Sequence, residues 1–165
     1  MSGQNRIGRR TPVRDVQSLL DIEPIVVHAD LDLIAAARRA IERPATRVLA
    51  VVDDDARLIG VIPVQRIVEE LVARASPEDL MAEITDLASA VRFGREIGAK
   101  VCRDLMSEPV AVHGEATVAD AFHQLKAHHY SGLPIIDAER RVVGYLDILE
   151  LALRHLDALP APDAR

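Results

Sequence analysis

Two carboxylates open a helix in the tetrapeptide Asp147-Ile148-Leu149-Glu150. A helix start leaves backbone N–H groups without partners, and an acid at the cap and another three residues on can satisfy them, so this is a capping box. The same carboxylates could instead accept hydroxyl donors of a ligand or hold a divalent cation. Arg66 stands in the first turn of an earlier helix, where the dipole disfavours a cation. It can pair with Glu69 or Glu70 at i+3 and i+4, for a gain of about 0.3 kcal/mol. Alternatively, beside a helix start, it can collect an anionic group.

Other chemical signals lead nowhere. His123, His128 and His129 follow steps of five and one, not the i, i+4 spacing that sets two imidazoles on one metal. Gly94-Arg95-Glu96-Ile97-Gly98-Ala99-Lys100 lacks the loop length and the trailing Ser or Thr of a phosphate loop. Cys102 has no histidine near it in sequence, and no Gly-rich loop follows a strand. No catalytic arrangement emerges, and the chain is expected not to be an enzyme.

The elements that must carry these residues are aliphatic. Of 165 residues, 49% are apolar, yet Phe and Tyr number two each and Trp is absent. Val, Ile, Leu and Ala must build the core, which excludes aromatic stacking platforms for single-stranded nucleic acid. The net charge of −6 opposes phosphate-backbone binding, so no nucleic-acid partner is expected. Arg6, Arg9 and Arg10 make residues 1–12 a basic leader, expected to be disordered, with contact to an anionic partner as the alternative. The leader has no apolar stretch of a signal peptide. No run approaches the ~20 apolar residues of a membrane span, and a single cysteine suits a reducing compartment, so the expectation is a cytoplasmic protein without membrane contact.

An internal repeat organises the chain. Glu23-Pro24-Ile25-Val26-Val27-His28 returns 85 positions later as Glu108-Pro109-Val110-Ala111-Val112-His113. Val48-Leu49-Ala50-Val51-Val52-Asp53 and Leu58-Ile59-Gly60-Val61-Ile62 return with an offset of 84, as Gly132-Leu133-Pro134-Ile135-Ile136-Asp137 and Val142-Val143-Gly144-Tyr145-Leu146. The lost residue is placed most simply in the loop at Ala29 to Asp32 against Gly114 to Ala116. Each copy reads as strand, helix, strand, strand, helix. The first helix is expected to turn Ile34, Ala37 and Ile41 inward, matched by Val118, Ala121 and Leu125. Gly60 and Gly144 inside strands point to a bulge or a close approach of another group. His28 and His113 end equivalent strands, which suggests a shared packing or hydrogen-bonding role. The closing helices are expected over about Val64 to Ala73 and Ile148 to Leu156.

Between the copies, Ser76-Pro77-Glu78-Asp79 reads as a helix start, and Leu80, Ile84, Leu87 and Val91 as one apolar stripe ending near Gly94. This additional helix either packs on the pair or serves a subunit contact. The expected divisions are therefore the 1–12 leader, a first repeat over 13–74, the inter-repeat helix over 75–99, a second repeat over 100–157 and a 158–165 tail.

Asp104-Leu105-Met106 with Glu108-Pro109-Val110, Ser131-Gly132-Leu133-Pro134-Ile135-Ile136-Asp137 and Val143-Gly144-Tyr145-Leu146-Asp147 resemble the signatures of a CBS domain. The two copies together resemble a Bateman module of the stand-alone bacterial type. The resemblance implies an α+β fold in which two βαββα repeats pair about a pseudo-twofold axis. It implies homodimers, regulation of a separate enzyme or transporter, and clefts that hold an adenosine-type ligand such as AMP, ATP or S-adenosylmethionine, with no cofactor certain.

Nucleotide-binding members carry Ser or Thr three residues after the strand glycine and Asp six after it. Here those positions hold Pro63 and Arg66, then Asp147 and Glu150, so neither copy keeps the standard pair. If a nucleotide binds, Arg66 would serve the phosphate and Glu150 the ribose, while Asp147 would repel a phosphate unless a cation intervened. Backbone near Val26 and Ala111, with Leu49, Val61, Leu133 and Tyr145 as walls, would hold the base. The alternatives are a ligand-free homodimerisation or scaffold module, which the departures at Pro63 and Asp147 favour, and a magnesium sensor using Asp147 and Glu150.

Overall fold

A computed structural model describes residues 7–20, 22–75 and 99–157. The inter-repeat helix expected over Ser76 to Gly94, the first six residues and the 158–165 tail lie outside the described residues. A short helix α1 (Val13–Gln17) precedes the first repeat, which runs β1 (Val26–His28), α2 (Leu33–Glu42), β2 (Val48–Val52), β3 (Leu58–Pro63) and α3 (Val64–Ala75). A second short helix, α4 (Cys102–Leu105), precedes β4 (Val112–His113), α5 (Val118–His128), β5 (Gly132–Ile136), β6 (Val142–Asp147) and α6 (Ile148–Asp157).

Each repeat forms a three-stranded sheet with the middle strand parallel to the first and antiparallel to the third. Every residue of β2 and β5 is buried, because helices cover one face and the other repeat covers the opposite one. Alternation along β2 divides the work: Leu49 and Val51 pack with Ala36, Ile62 and Ile67, whereas Val48 and Ala50 join Leu133, Ile135 and Tyr145 of the second sheet. Arg57 and Arg141, equivalent in the repeat, pair with each other and so mark the pseudo-twofold axis.

β4 is a residue shorter than β1 for a covalent reason. Ala50 donates its N–H to Ile25 O at 2.9 Å, whereas the matching Pro134 has none to give. The parallel ladder therefore begins only at Val112 and Ile135.

The α2 stripe differs from expectation. Leu33, Ala36 and Ala40 face the core, while Ile34 and Ile41 are 48% and 79% exposed. On α5 the expected Val118, Ala121 and Leu125 are buried. The helix caps Asp32 and Thr117 stand 85 apart, so the offset persists through the helix and the lost residue falls between α2 and β2, not in the loop before α2. α2 is apolar on two faces, and periodicity alone could not choose between them.

Each repeat is completed by the segment that precedes the other. Val13 and Arg14 donate backbone N–H to Ala116 O and Gly114 O at 2.8 and 2.9 Å, and Val118 donates to Thr11 O at 2.9 Å. In the mirrored set, Cys102 and Arg103 donate to Leu31 O and Ala29 O at 2.9 and 2.7 Å, and Leu33 to Lys100 O at 3.0 Å. Residues 7–12, expected within a disordered leader, lie against the second repeat, where Ile7 is buried and Arg9 O accepts from Ala119 N.

The two strand glycines admit these exchanged segments. A Cβ on Gly60 would lie 2.6 Å from Met106 Sδ and 2.7 Å from Ser107 O, and one on Gly144 would fall on the Gln17 amide. The ladder also slips opposite each glycine, after Val51 and after Ile135. Both expected roles, bulge and close approach, thus meet at the same positions.

Candidate functional site

The strands end and the closing helices begin along the seam between repeats. On the first repeat, Val64 N donates to Arg47 O at 2.9 Å and starts α3 directly after Pro63. Arg66 reaches across to the exchanged segment, with Nη1 donating to Ser107 Oγ at 2.8 Å. Ser107 is held in turn by two backbone bonds to Val61. Glu69, offered by the sequence as a partner for Arg66, accepts from Gln65 at 3.1 Å, and Glu70 takes Arg74 at 2.9 Å.

On the second repeat, Ile148 N donates to Ser131 O at 2.9 Å and starts α6 after Asp147. Asp147 is 3% exposed. Its Oδ1 accepts from the N–H groups of Leu149 and Glu150 at 2.9 and 3.0 Å, so it caps the helix. Its Oδ2 is screened from solvent and has no hydrogen-bond partner among the described residues. Glu150 does not complete the box in the expected way, because its Oε1 accepts from Arg154 one turn later at 3.1 Å.

Tyr145 connects the two sides. Its hydroxyl accepts from Arg47 N at 3.1 Å, and burial pushes the phenol up to about 12. Gly132 leaves room for the ring, since a Cβ there would fall on the hydroxyl. The other proposed walls, Leu49, Val61 and Leu133, are fully buried, while of the two proposed backbone contacts Ala111 is half-buried and Val26 is exposed. Val26 faces a hollow of about 240 Å³ bounded by Ile25, Arg39, Glu42 and Arg43. The fold therefore sets Arg66 against Ser107 at the start of α3, Tyr145 against Arg47, and Asp147 and Glu150 at the start of α6, places Leu49, Val61 and Leu133 in the core, and leaves Val26 at the sheet edge.

Sequence reasoning missed Ser107 and Arg47. Both act through partners 41 and 98 residues away, and only the small Gly132 opposite a large Tyr145 hinted at such a contact. Glu70, expected as a partner of Arg66, is instead 2% exposed, gives one oxygen to Arg74 and has no partner for Oε2 among the described residues. Arg74 in turn donates to Ala99 O, which ties the end of α3 to the approach of α4.

The histidines do not share a role. His28 Nδ1 accepts from Asp30 N at 3.1 Å, which leaves the proton on Nε2 to be donated to Asp54 at 2.9 Å. Ala138 occupies the place of Asp54 in the second repeat, so His113 lacks that acceptor. His128 stacks on Tyr130 with ring centroids 5.8 Å apart.

The model of the CBS domain matches residues 13–73 and 102–154, together more than half of the chain. The chain belongs to the CBS domain family. Among solved structures this CBS pair is similar to a CBS domain-containing protein from Thermotoga maritima, with 25% identity, a TM-score of 0.69, and 88% of this chain and 94% of that one covered. It also resembles CBSX2 from Arabidopsis thaliana, solved in complex with AMP (21% identity, TM-score 0.63, 88% and 96% covered). The CBS domain pair of protein MJ0100, in complex with 5′-methylthioadenosine and S-adenosyl-L-methionine, matches at 22% identity and a TM-score of 0.62, with 87% and 94% covered. These last two likenesses speak for the fold. No curated protein matches the chain. Among the described residues no helix is long and apolar enough to cross a membrane.

Proposed function

We propose that this CBS pair is a non-catalytic cytoplasmic module that binds an adenosine-type ligand at the seam and regulates a separate enzyme or transporter. The observation that carries the reading is Asp147: a carboxylate buried at a helix start, with one oxygen spent on the cap and the other lacking a donor among the described residues. Groups buried in this way are satisfied in folded proteins, so Oδ2 calls for a donor such as a ribose hydroxyl. The complexes of related pairs with AMP and with S-adenosylmethionine support the ligand class. Glu150 beside Asp147 is the further contact, with Arg66 at the equivalent start of α3 and backbone near Val26 and Ala111 at the strand starts. Val61, Leu133 and Tyr145 pack between the two sheets beneath the seam, whereas Leu49 packs on the helix side of the first sheet.

Differential scanning fluorimetry with AMP, ATP, 5′-methylthioadenosine and S-adenosylmethionine tests this. A ligand present at 100 times its dissociation constant adds about 2.7 kcal/mol of stability. No shift with any of the four, with or without magnesium, refutes adenosine sensing.

A second reading, homodimerisation, is favoured by the outer helix faces. Ile34, Ile41, Val68 and Val72 are exposed along α2 and α3, and Phe122, Leu149 and Leu153 along α5 and α6. Each helix pair also opens an apolar groove of about 310 Å³. A second copy would bury these faces. The expected result is a dimer by light scattering whose melting point rises with protein concentration, and Ile41→Arg with Val68→Arg should convert it to a monomer.

A further inference from the structure

The outward face of α2 with α3 is not a copy of the outward face of α5 with α6. The matched caps Asp32 and Thr117, and the matched helix starts Val64 and Ile148, fix which residues correspond. Inward positions agree in kind, as Ala36 with Ala121 and Ile67 with Leu151, all buried. Outward positions trade. Ile34, Ile41 and Val68 stand out on the first face where the second has Ala119, Lys126 and Ala152. Phe122, Leu149 and Leu153 stand out on the second where the first has Ala37, Gln65 and Glu69.

Each face therefore lacks bulk where the other has it. The groove of about 310 Å³ on the first face runs past Ala37 and Ala40, and its counterpart on the second runs past Ala152. Charge is divided in the same way. Lys126 has no ion pair among the described residues, because Asp120 is engaged by Thr117 and Glu150 by Arg154. Glu69 accepts only from the neutral Gln65 among them. Two second faces laid together would set large side chains against large ones and leave both lysines without an acid. Unlike faces set protruding residues against grooves and bring Lys126 to the surface that carries Glu69.

We propose that two copies of this chain pair through unlike faces. The α2 and α3 face of each copy seats the α5 and α6 face of the other, so two equal contacts close one symmetric dimer. This rests on the homodimer reading above and adds which surfaces meet.

Complementation between two variants of the full chain tests it. Ile41→Arg with Val68→Arg disables the first face, and Leu149→Arg with Leu153→Arg disables the second. Circular dichroism checks folding, and light scattering with capture through a tag on one variant reads association. The wild-type chain should be a dimer and each variant alone a monomer, because every contact needs both faces. Their equimolar mixture should regain a mixed dimer, held by the one contact that remains intact. Pairing of like faces gives the reverse: each variant still dimerises through its untouched face, and the mixture yields no mixed dimer. That result overturns the proposal, and so does a mixture that stays monomeric. Should either double variant fail to fold, Ile41→Arg and Leu153→Arg as single substitutions make the same comparison. A wild-type chain that is itself monomeric removes the homodimer reading.

Discussion

The two repeats agree in backbone and part company at the seam. Both sheets have the same strand order, both receive a short helix through three matched backbone hydrogen bonds, and both slip register opposite a glycine. Yet one hairpin ends on Pro63 and the other on Asp147, and one closing helix opens with Arg66 where the other opens with Glu150. Positions that hold the halves together thus repeat, and positions that face the seam do not. Packing constrains both copies alike, whereas a single asymmetric ligand or partner needs only one of each seam residue.

The glycines give the largest test of that symmetry. Gly60→Ala drives a methyl into the Ser107 backbone and Met106 and should cost about 3 kcal/mol by urea denaturation. Gly144→Ala meets only the Gln17 amide, which can swing aside after losing its bond to Val143 O, and should cost about 1 kcal/mol. Equal costs would mean that the two exchanged segments are held with equal rigidity.

Tyr145 should give the next effect, because the first repeat has Val61 in its place. Its phenol is raised from 10 to about 12 in the fold, so the stabilisation is complete below pH 10 and is lost as pH climbs through 12. The expected fall is about 2.7 kcal/mol. Cys102, raised by burial from 9.0 to about 11, gives a similar fall beginning one unit lower. Tyr145→Phe should keep only the earlier fall, and should cost about 1 kcal/mol at neutral pH by leaving Arg47 N without its acceptor. An unchanged alkaline profile in this variant would remove Tyr145 as its source.

Capping gives a smaller effect. Asp147→Ala should lower stability by about 1 kcal/mol and Asp147→Asn by nearly nothing, measured by thermal melting without ligand. Smallest of all are the hairpin turns, where Ala56 and Arg140 both sit at positive φ, 59° and 64°. Ala56→Gly should stabilise by about 0.5 kcal/mol. Arg140→Gly should come out near neutral, because it also forfeits the bond from Nη2 to Leu58 O.

Much of this architecture is legible in the sequence because it is written twice. The strands, their glycines, the closing helices and the buried face of α5 follow from matched residues at fixed offsets. The inward face of α2 was misread, since Leu33 and Ile34 are equally apolar and only burial distinguishes them. The exchange of α1 and α4 was invisible for another reason: alternation tells which face of an element is covered, never by whom. At the site, Asp147 and Glu150 declared themselves through helix-start chemistry, while the partners of Arg66 and Tyr145 depend on contacts across the chain.

That exchange crosses the wiring of the molecule. The chain ahead of β1 is bonded to the far sheet, and the chain ahead of β4 is bonded back to the near one. A tug on the amino end is therefore delivered to α5 and β6, and a tug on the stretch leading into Ala99 to α2 and β3. Neither half owns all the backbone it needs, so severing one from the other would leave two incomplete pieces, each searching for the helix the other carries.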